Sequence, residues 1–205
     1  MPKLDRVVEH YFSEHPTSKV RLGVIHVRLR GLFLRFLSAS GVFSHTKVDL
    51  GTRLLAECMV LPERGCVLDL GCGYGVVGIV AALSNPCLSV VLVDVNERAV
   101  RLARKNLELN GVANARVKRG DLYEPVDDVL FDCVLSNPPL SAGMSVVEKM
   151  IFEAPLHMHV GGKFEMVLKS KVAGKRLSNV FEDAFGNVDV LARESGYRVL
   201  ISEKR

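Results

Sequence analysis

Polar and apolar residues alternate from Val20 to Arg30. Ile25, Val27 and Leu29 would face one way and His26, Arg28 and Arg30 the other, the period-two pattern of a half-buried strand. Gly31 permits a tight turn, and Leu32 to Leu37 reads as the returning strand. Gly51 to Val60 then reads as a helix with Leu54, Leu55 and Cys58 on one side, stopped by Pro62.

From Cys66 the pattern becomes strand, turn and helix, repeated. Val67–Leu70, Leu88–Val93, Ala115–Lys118 and Val129–Leu135 read as strands. Val76–Leu83 reads as a helix packed on the sheet, and Asn96 caps the next one. In that helix Val100, Ala103 and Leu107 form a stripe, and Gly111 ends it. Met144 to His159 reads as helical, broken by Gly161-Gly162 before a strand at Lys163–Leu168. Ala173–Ala184 reads as the last helix, and Val188–Ala192 and Arg198–Ile201 as two strands joined at Ser195-Gly196. Strands covered on both faces are continuously apolar, as Leu88–Val93 is. The expected fold is α/β, a doubly wound, mostly parallel seven-stranded sheet ending in an antiparallel hairpin, with a small N-terminal β-hairpin and helix. A boundary near Leu61 separates an accessory segment, 1–61, from the main domain, 62–205.

Composition adds limits. A chain of 205 residues with 48% apolar content can bury one sizeable core. The net charge of +4 is mildly basic and compatible with an anionic partner. The five cysteines form no CxxC pair, so neither a disulfide framework nor a zinc site is expected. His157 and His159 have no acidic or cysteine partners nearby in sequence, so no metal is expected. Residues 1–10 are charged and mixed, and no run of about 18 apolar residues occurs. A cytoplasmic protein is expected.

The first strand of the main domain runs into Asp69-Leu70-Gly71-Cys72-Gly73-Tyr74-Gly75. Glycines here let the backbone turn sharply and approach a ligand. Gly73 to Gly78 is a literal GxGxxG, which favours a dinucleotide, and Asp94 at the end of the next strand would hold a ribose. Asp69 argues the other way. A carboxylate so close to the loop repels a pyrophosphate and suits a ligand with a positive amino group, such as S-adenosylmethionine. Asp94, beside Val95, then reads as the acceptor for both ribose hydroxyls, and its plain alternative is a helix cap. Asp121 would accept from an adenine amino group, with the Leu122 N–H at the ring; its alternative is a turn aspartate.

Ser136-Asn137-Pro138-Pro139-Leu140 follows the fourth core strand. Ligands in such sheets sit at the carboxyl ends of strands, so Asn137 should face the same cleft. Two prolines stiffen the segment and remove donors, leaving acceptors. An exocyclic base amine has a lone pair conjugated with its ring. Accepting its N–H bonds exposes that lone pair to a methyl donor, and alignment supplies most of the catalysis. Asn137, Pro138, Pro139 and Leu140 are the candidate catalytic residues.

With these motifs the chain resembles the class I "methyltransferase small" family, specifically ribosomal RNA guanine-N2 methyltransferases and their compact archaeal relatives. His10 to Glu14, Gly41-Val42-Phe43-Ser44, Asp49-Leu50-Gly51-Thr52, the glycine loop, Asp94, Asn137 to Pro139 and Gly196 to Val199 carry the resemblance. It implies a cofactor site for S-adenosylmethionine that Phe43, Ser44 and Thr52 help to close. Together with Asp69, Gly71, Cys72, Gly73, Gly75, Asp94, Val95, Asp121, Leu122 and Asn137 they make the expected cofactor set. It implies transfer to guanine N2 in ribosomal RNA, ahead of adenine N6 or a glutamine side-chain amide. Relatives often carry an aromatic residue after the two prolines. Leu140 stands there in this chain, so it would give a weaker apolar contact to the base, or Phe43 or Tyr123 would supply a ring.

His26, Arg28, Arg30 and Arg35 are candidates for an RNA backbone-binding face, with His45 near the cleft. Lys169, Lys171, Lys175 and Arg176 form a second basic cluster. Other readings of the chain are a nicotinamide-dependent dehydrogenase and a non-catalytic RNA-binding protein.

Overall fold

A computed structural model describes residues 21–205, the side chains of 172–175 excepted. The His10–Glu14 segment and the Lys175 side chain lie outside the described residues. Strands β1 (Leu22–Leu29) and β2 (Leu32–Ala39) form an antiparallel hairpin. Helix α1 (Leu50–Cys58) follows, then β3 (Gly65–Leu70), α2 (Val76–Ser84), β4 (Leu88–Asp94), α3 (Glu97–Leu109) and β5 (Ala115–Arg119). The second half holds β6 (Phe131–Ser136), α4 (Met144–Glu153), β7 (Met158–Lys169), α5 (Ser170–Phe185), β8 (Asp189–Glu194) and β9 (Tyr197–Glu203).

The main sheet has seven strands in the order β5-β4-β3-β6-β7-β9-β8. Its first five strands are parallel, and β9 runs antiparallel to both β7 and β8. The direction of winding reverses between β3 and β6, which opens a crevice at their carboxyl ends. Each face buries a separate apolar cluster. One joins the hairpin, α1, α2 and α3 to Val67, Val90, Leu92 and Leu135. The other joins α4 and α5 to Leu68, Val91, Val134 and Phe164. Alternate residues of one strand thus feed opposite cores, which explains the unbroken apolar runs of β4 and β6.

The hairpin shows the alternation its sequence calls for. Ile25, Leu29, Leu34 and Phe36 are buried, and His26, Arg28 and Arg35 are exposed. Two elements differ from expectation. The helix beginning at Met144 stops at Glu153, and a 3-10 turn over Ala154–His157 contains Pro155, which has no N–H to continue the ladder. His159 therefore lies in a strand. Gly161-Gly162 sits inside β7 rather than before it. A Cβ at Gly162 would lie 3.0 Å from the Phe131 carbonyl, where the β6–β7 register shifts. These glycines make an irregular pairing possible instead of breaking a helix.

Candidate active site

Gly71 and Gly73 of the loop after β3 adopt positive φ, +73° and +57°. Val93 O accepts from the Gly71 and Cys72 N–H groups, both at 2.9 Å, which pins the loop against β4. A Cβ added at Gly73 would meet nothing within 4 Å among the described residues, so the backbone there lies open to a ligand. Gly75 works differently. A Cβ there would crowd Leu92 and Ala103, so this glycine serves the approach of α2 to the sheet.

Four aspartates line one cavity of about 390 Å³ beside this loop: Asp49, Asp69, Asp94 and Asp121. Asp69 is only 1% exposed, and its Oδ2 accepts from Gly78 N at 2.7 Å. Gly75, the N-cap of α2, has no side chain to cap with, so Asp69 satisfies an orphan N–H of that helix. Burial pushes its carboxyl up to about 7, against the Gly78 hydrogen bond and with help from Asp94. Asp94 accepts from Gly73 N and Asn96 N, both at 2.8 Å. Burial raises its carboxyl too, opposed by those hydrogen bonds. The cap of α3 is Asn96, which accepts from Arg98 N and Ala99 N. Asp121 stands exposed just beyond β5.

Asn137 reaches the same cavity from the end of β6. Asp69 pairs with Leu135, so Gly71 and Asn137 leave the sheet at the same level. Ser136 Oγ donates to Leu70 O at 2.8 Å and ties the two strand ends together. The Asn137 amide faces α1. Its Nδ2 donates to Thr52 Oγ1 at 2.8 Å and lies 3.4 Å from Asp49 Oδ2. Thr52 Oγ1 in turn donates to Asp49 Oδ2. A carboxylate only accepts, so the amide must present its NH₂ edge here. Its Oδ1 is left on the opposite edge with no protein donor among the described residues. Pro138 O and Pro139 O accept from Leu140 N and Ala142 N within a short turn.

Every expected cofactor residue except Ser44 and Gly75 lines the cavity, as do Pro138 and Pro139. Ser44 Oγ instead donates to Lys47 O, and the Ser44 carbonyl accepts from Tyr74 Oη at 3.5 Å. Leu140 packs against the α4–α5 core and does not line the cavity. Tyr123 cannot supply a base-stacking ring, because it is 2% exposed, donates to Met150 O and stacks on His157. Phe43 does stand at the cavity wall. None of His26, Arg28, Arg30, Arg35 and His45 lines the cavity. Arg30 is committed elsewhere: its Nη1 donates to Ala56, Glu57 and Met59 carbonyls and so caps the end of α1. Arg176 is paired with Glu148 at 2.7 Å, which offsets one charge of the second basic cluster. Among the described residues no His, Cys, Asp and Glu group is arranged to hold a metal. Asp49, Tyr74, Val146 and Met150 line the cavity but were not singled out from their residue types. Asp49 carried a local signal, an N-cap aspartate ahead of a helix.

A seven-stranded sheet with this winding and a carboxylate-lined crevice at its switch point is the class I methyltransferase fold. Within it, the chain belongs to the Methyltransferase small domain family, which it matches over residues 33–201. It is 36% identical to the uncharacterized protein YbxB of Bacillus subtilis, over 96% of this chain and 98% of that one. It is 37% identical to ribosomal RNA small subunit methyltransferase C of Hamiltonella defensa, over 78% of this chain and 47% of that one. Among solved structures, a T. thermophilus 16S rRNA N2 guanine methyltransferase in complex with AdoMet and guanosine superposes with a TM-score of 0.82 at 30% identity. That match covers 93% of this chain and 52% of the T. thermophilus one. The chain thus spans about half the length of the ribosomal RNA methyltransferases it matches.

Proposed function

We propose that this protein is an S-adenosylmethionine-dependent N-methyltransferase acting on an exocyclic amino nitrogen of an RNA base, with guanine N2 of ribosomal RNA as its target. One observation carries this reading. The Asn137 amide is locked by Asp49 and Thr52 with its oxygen unclaimed, at the wall of a carboxylate-lined cavity.

The residues fit the cofactor. The open backbone at Gly73 is a cradle that any Cβ would fill. Four carboxylates favour a positively charged ligand and oppose a pyrophosphate, which argues against the dinucleotide alternative. Asp94 and Asp121, at successive strand ends, stand where hydroxyl and amino groups can donate to them. Phe43, Thr52, Cys72, Val95 and Leu122 complete the wall. When bound, S-adenosylmethionine supplies a sulfonium methyl already activated for attack. The acceptor role falls on Asn137 Oδ1, which has no protein donor among the described residues, while the Pro138 and Pro139 carbonyls each already accept one bond within their own turn. Accepting the amine N–H turns the nitrogen lone pair out of conjugation, and the stiff Pro138-Pro139 segment holds that oxygen in place. Guanine N2 comes first because the T. thermophilus relative was solved with guanosine. With ribosomal RNA as substrate, the protein acts in the cytoplasm.

The test uses ribosomal RNA from a strain lacking the gene, incubated with the protein and methyl-labelled cofactor, then digested to nucleosides for mass spectrometry. Labelled N2-methylguanosine supports the reading. Label in N6-methyladenosine moves the target to adenine. No label in any RNA, together with NADH binding in calorimetry, overturns it. Asn137→Ala is expected to lower transfer at least about a hundredfold while S-adenosylhomocysteine affinity changes little.

A further inference from the structure

The geometry points to the outer face of the β1–β2 hairpin as a track for the single-stranded RNA that flanks the target base, with Phe33 stacking one base beside the Arg28 guanidinium. This deepens the RNA reading above and rests on it. Cross-strand partners share a face, and the register pairs Arg28 with Phe33, His26 with Arg35 and Val24 with Leu37. Phe33 is 83% exposed, and the Arg28 guanidinium lies over its ring, 5.3 Å from the centroid. The opposite face carries Ile25, Leu34 and Phe36 into the core, so nothing in the hairpin's own packing requires Phe33 outside.

Charge selects the occupant. Neither strand contains an Asp or Glu, while His26, Arg28 and Arg35 project together. Among the described residues, no ion pair offsets Arg28 or Arg35. Cations that follow a backbone and an aromatic ring that receives an unstacked base are the two components of a single-strand site. A protein strand adding at the β2 edge is disfavoured, because Asn110 and Asn106 already bond the Arg35 and Leu37 backbone groups there. The track also leads to the chemistry. β2 runs back about 20–25 Å from the tip to the loop that contributes Val42 and Phe43 to the cavity wall.

Fluorescence anisotropy with a labelled single-stranded RNA of mixed sequence tests this on the full chain. Phe33→Ala is expected to weaken binding roughly 5- to 100-fold, and Phe33→Trp to restore it. Joint replacement of Arg28 and Arg35 by alanine should make the slope of log K against log salt shallower by about 1.4, about 0.7 per lost phosphate contact. S-adenosylhomocysteine affinity and Tm should match the parent in all three variants. RNA binding and RNA methylation unchanged in Phe33→Ala and in the double variant overturn the track while leaving the proposed activity standing. Hairpin-dependent RNA binding by a protein that methylates no RNA supports the track and removes the activity. A concentration-dependent dimer in sedimentation, dissolved by Phe33→Ala, assigns this face to a second copy and also overturns it.

Discussion

Asp49 serves two neighbours at once. Its Oδ1 accepts from Gly51 N and Thr52 N at the start of α1, and its carboxylate faces the Asn137 amide together with Thr52. The two roles separate by substitution. Serine remains a good helix cap but is too short to reach Asn137. Asp49→Ser should therefore keep Tm near the parent value while kcat falls on the order of tenfold or more. Asp49→Ala should lose both, with about 0.5–2 kcal/mol of stability gone in denaturant titration. A second residue sets a pH dependence. The Asp69 carboxyl titrates at about 7, so it gains its charge only as pH rises through neutrality. A cationic ligand competes with that proton, and cofactor affinity measured by calorimetry should weaken as pH falls from 8 to 6. Asp69→Asn should flatten the profile. Gly71, Gly73 and the Asn137 turn were legible in the sequence because their backbone demands are local. The Asp49–Asn137 contact was not, because it joins residues 88 positions apart and no spacing rule reaches that far.

At the scale of elements, α3 closes the free edge of β2 with side chains in place of a strand. Asn106 accepts from Leu37 N and donates to Leu37 O and Tyr74 O. Asn110, one turn on, does the same for Arg35 N and O. Asn106 is fully buried, so Asn106→Ala removes the partner of three backbone groups, each worth about 1–3 kcal/mol where water cannot replace it, and should cost at least that much in urea unfolding. Asn110→Ala, nearer the surface, should cost less. The elements themselves followed from periodicity wherever one face was buried, as in the hairpin and α3. The α4–β7 passage did not. Two glycines read as a break in any local window, and only the irregular pairing of β7 opposite Phe131 shows that they belong inside a strand.

At the scale of the whole molecule, the sheet carries a buried acid between its strands and α1. Glu165 is inaccessible; its Oε1 accepts from Val60 N, and its Oε2 has no partner among the described residues. Burial raises its carboxyl from 4.5 to about 7. Between those values the folded chain holds the proton more tightly than the unfolded one, so this group lowers stability as pH rises through the window and adds no further slope above it. The Tm of Glu165→Gln should accordingly fall less between pH 5 and pH 8 than that of the parent. The outermost strands have a consequence of a different kind. β5 exposes Arg116 and Arg119, while β8 pairs irregularly and itself exposes Asp189, Arg193 and Glu194. Two molecules approaching β5 to β5 would bring like charges face to face, and β8 offers an uneven ladder. An open sheet of this width has two edges at which another strand could add, and these borders oppose that edge-to-edge pairing.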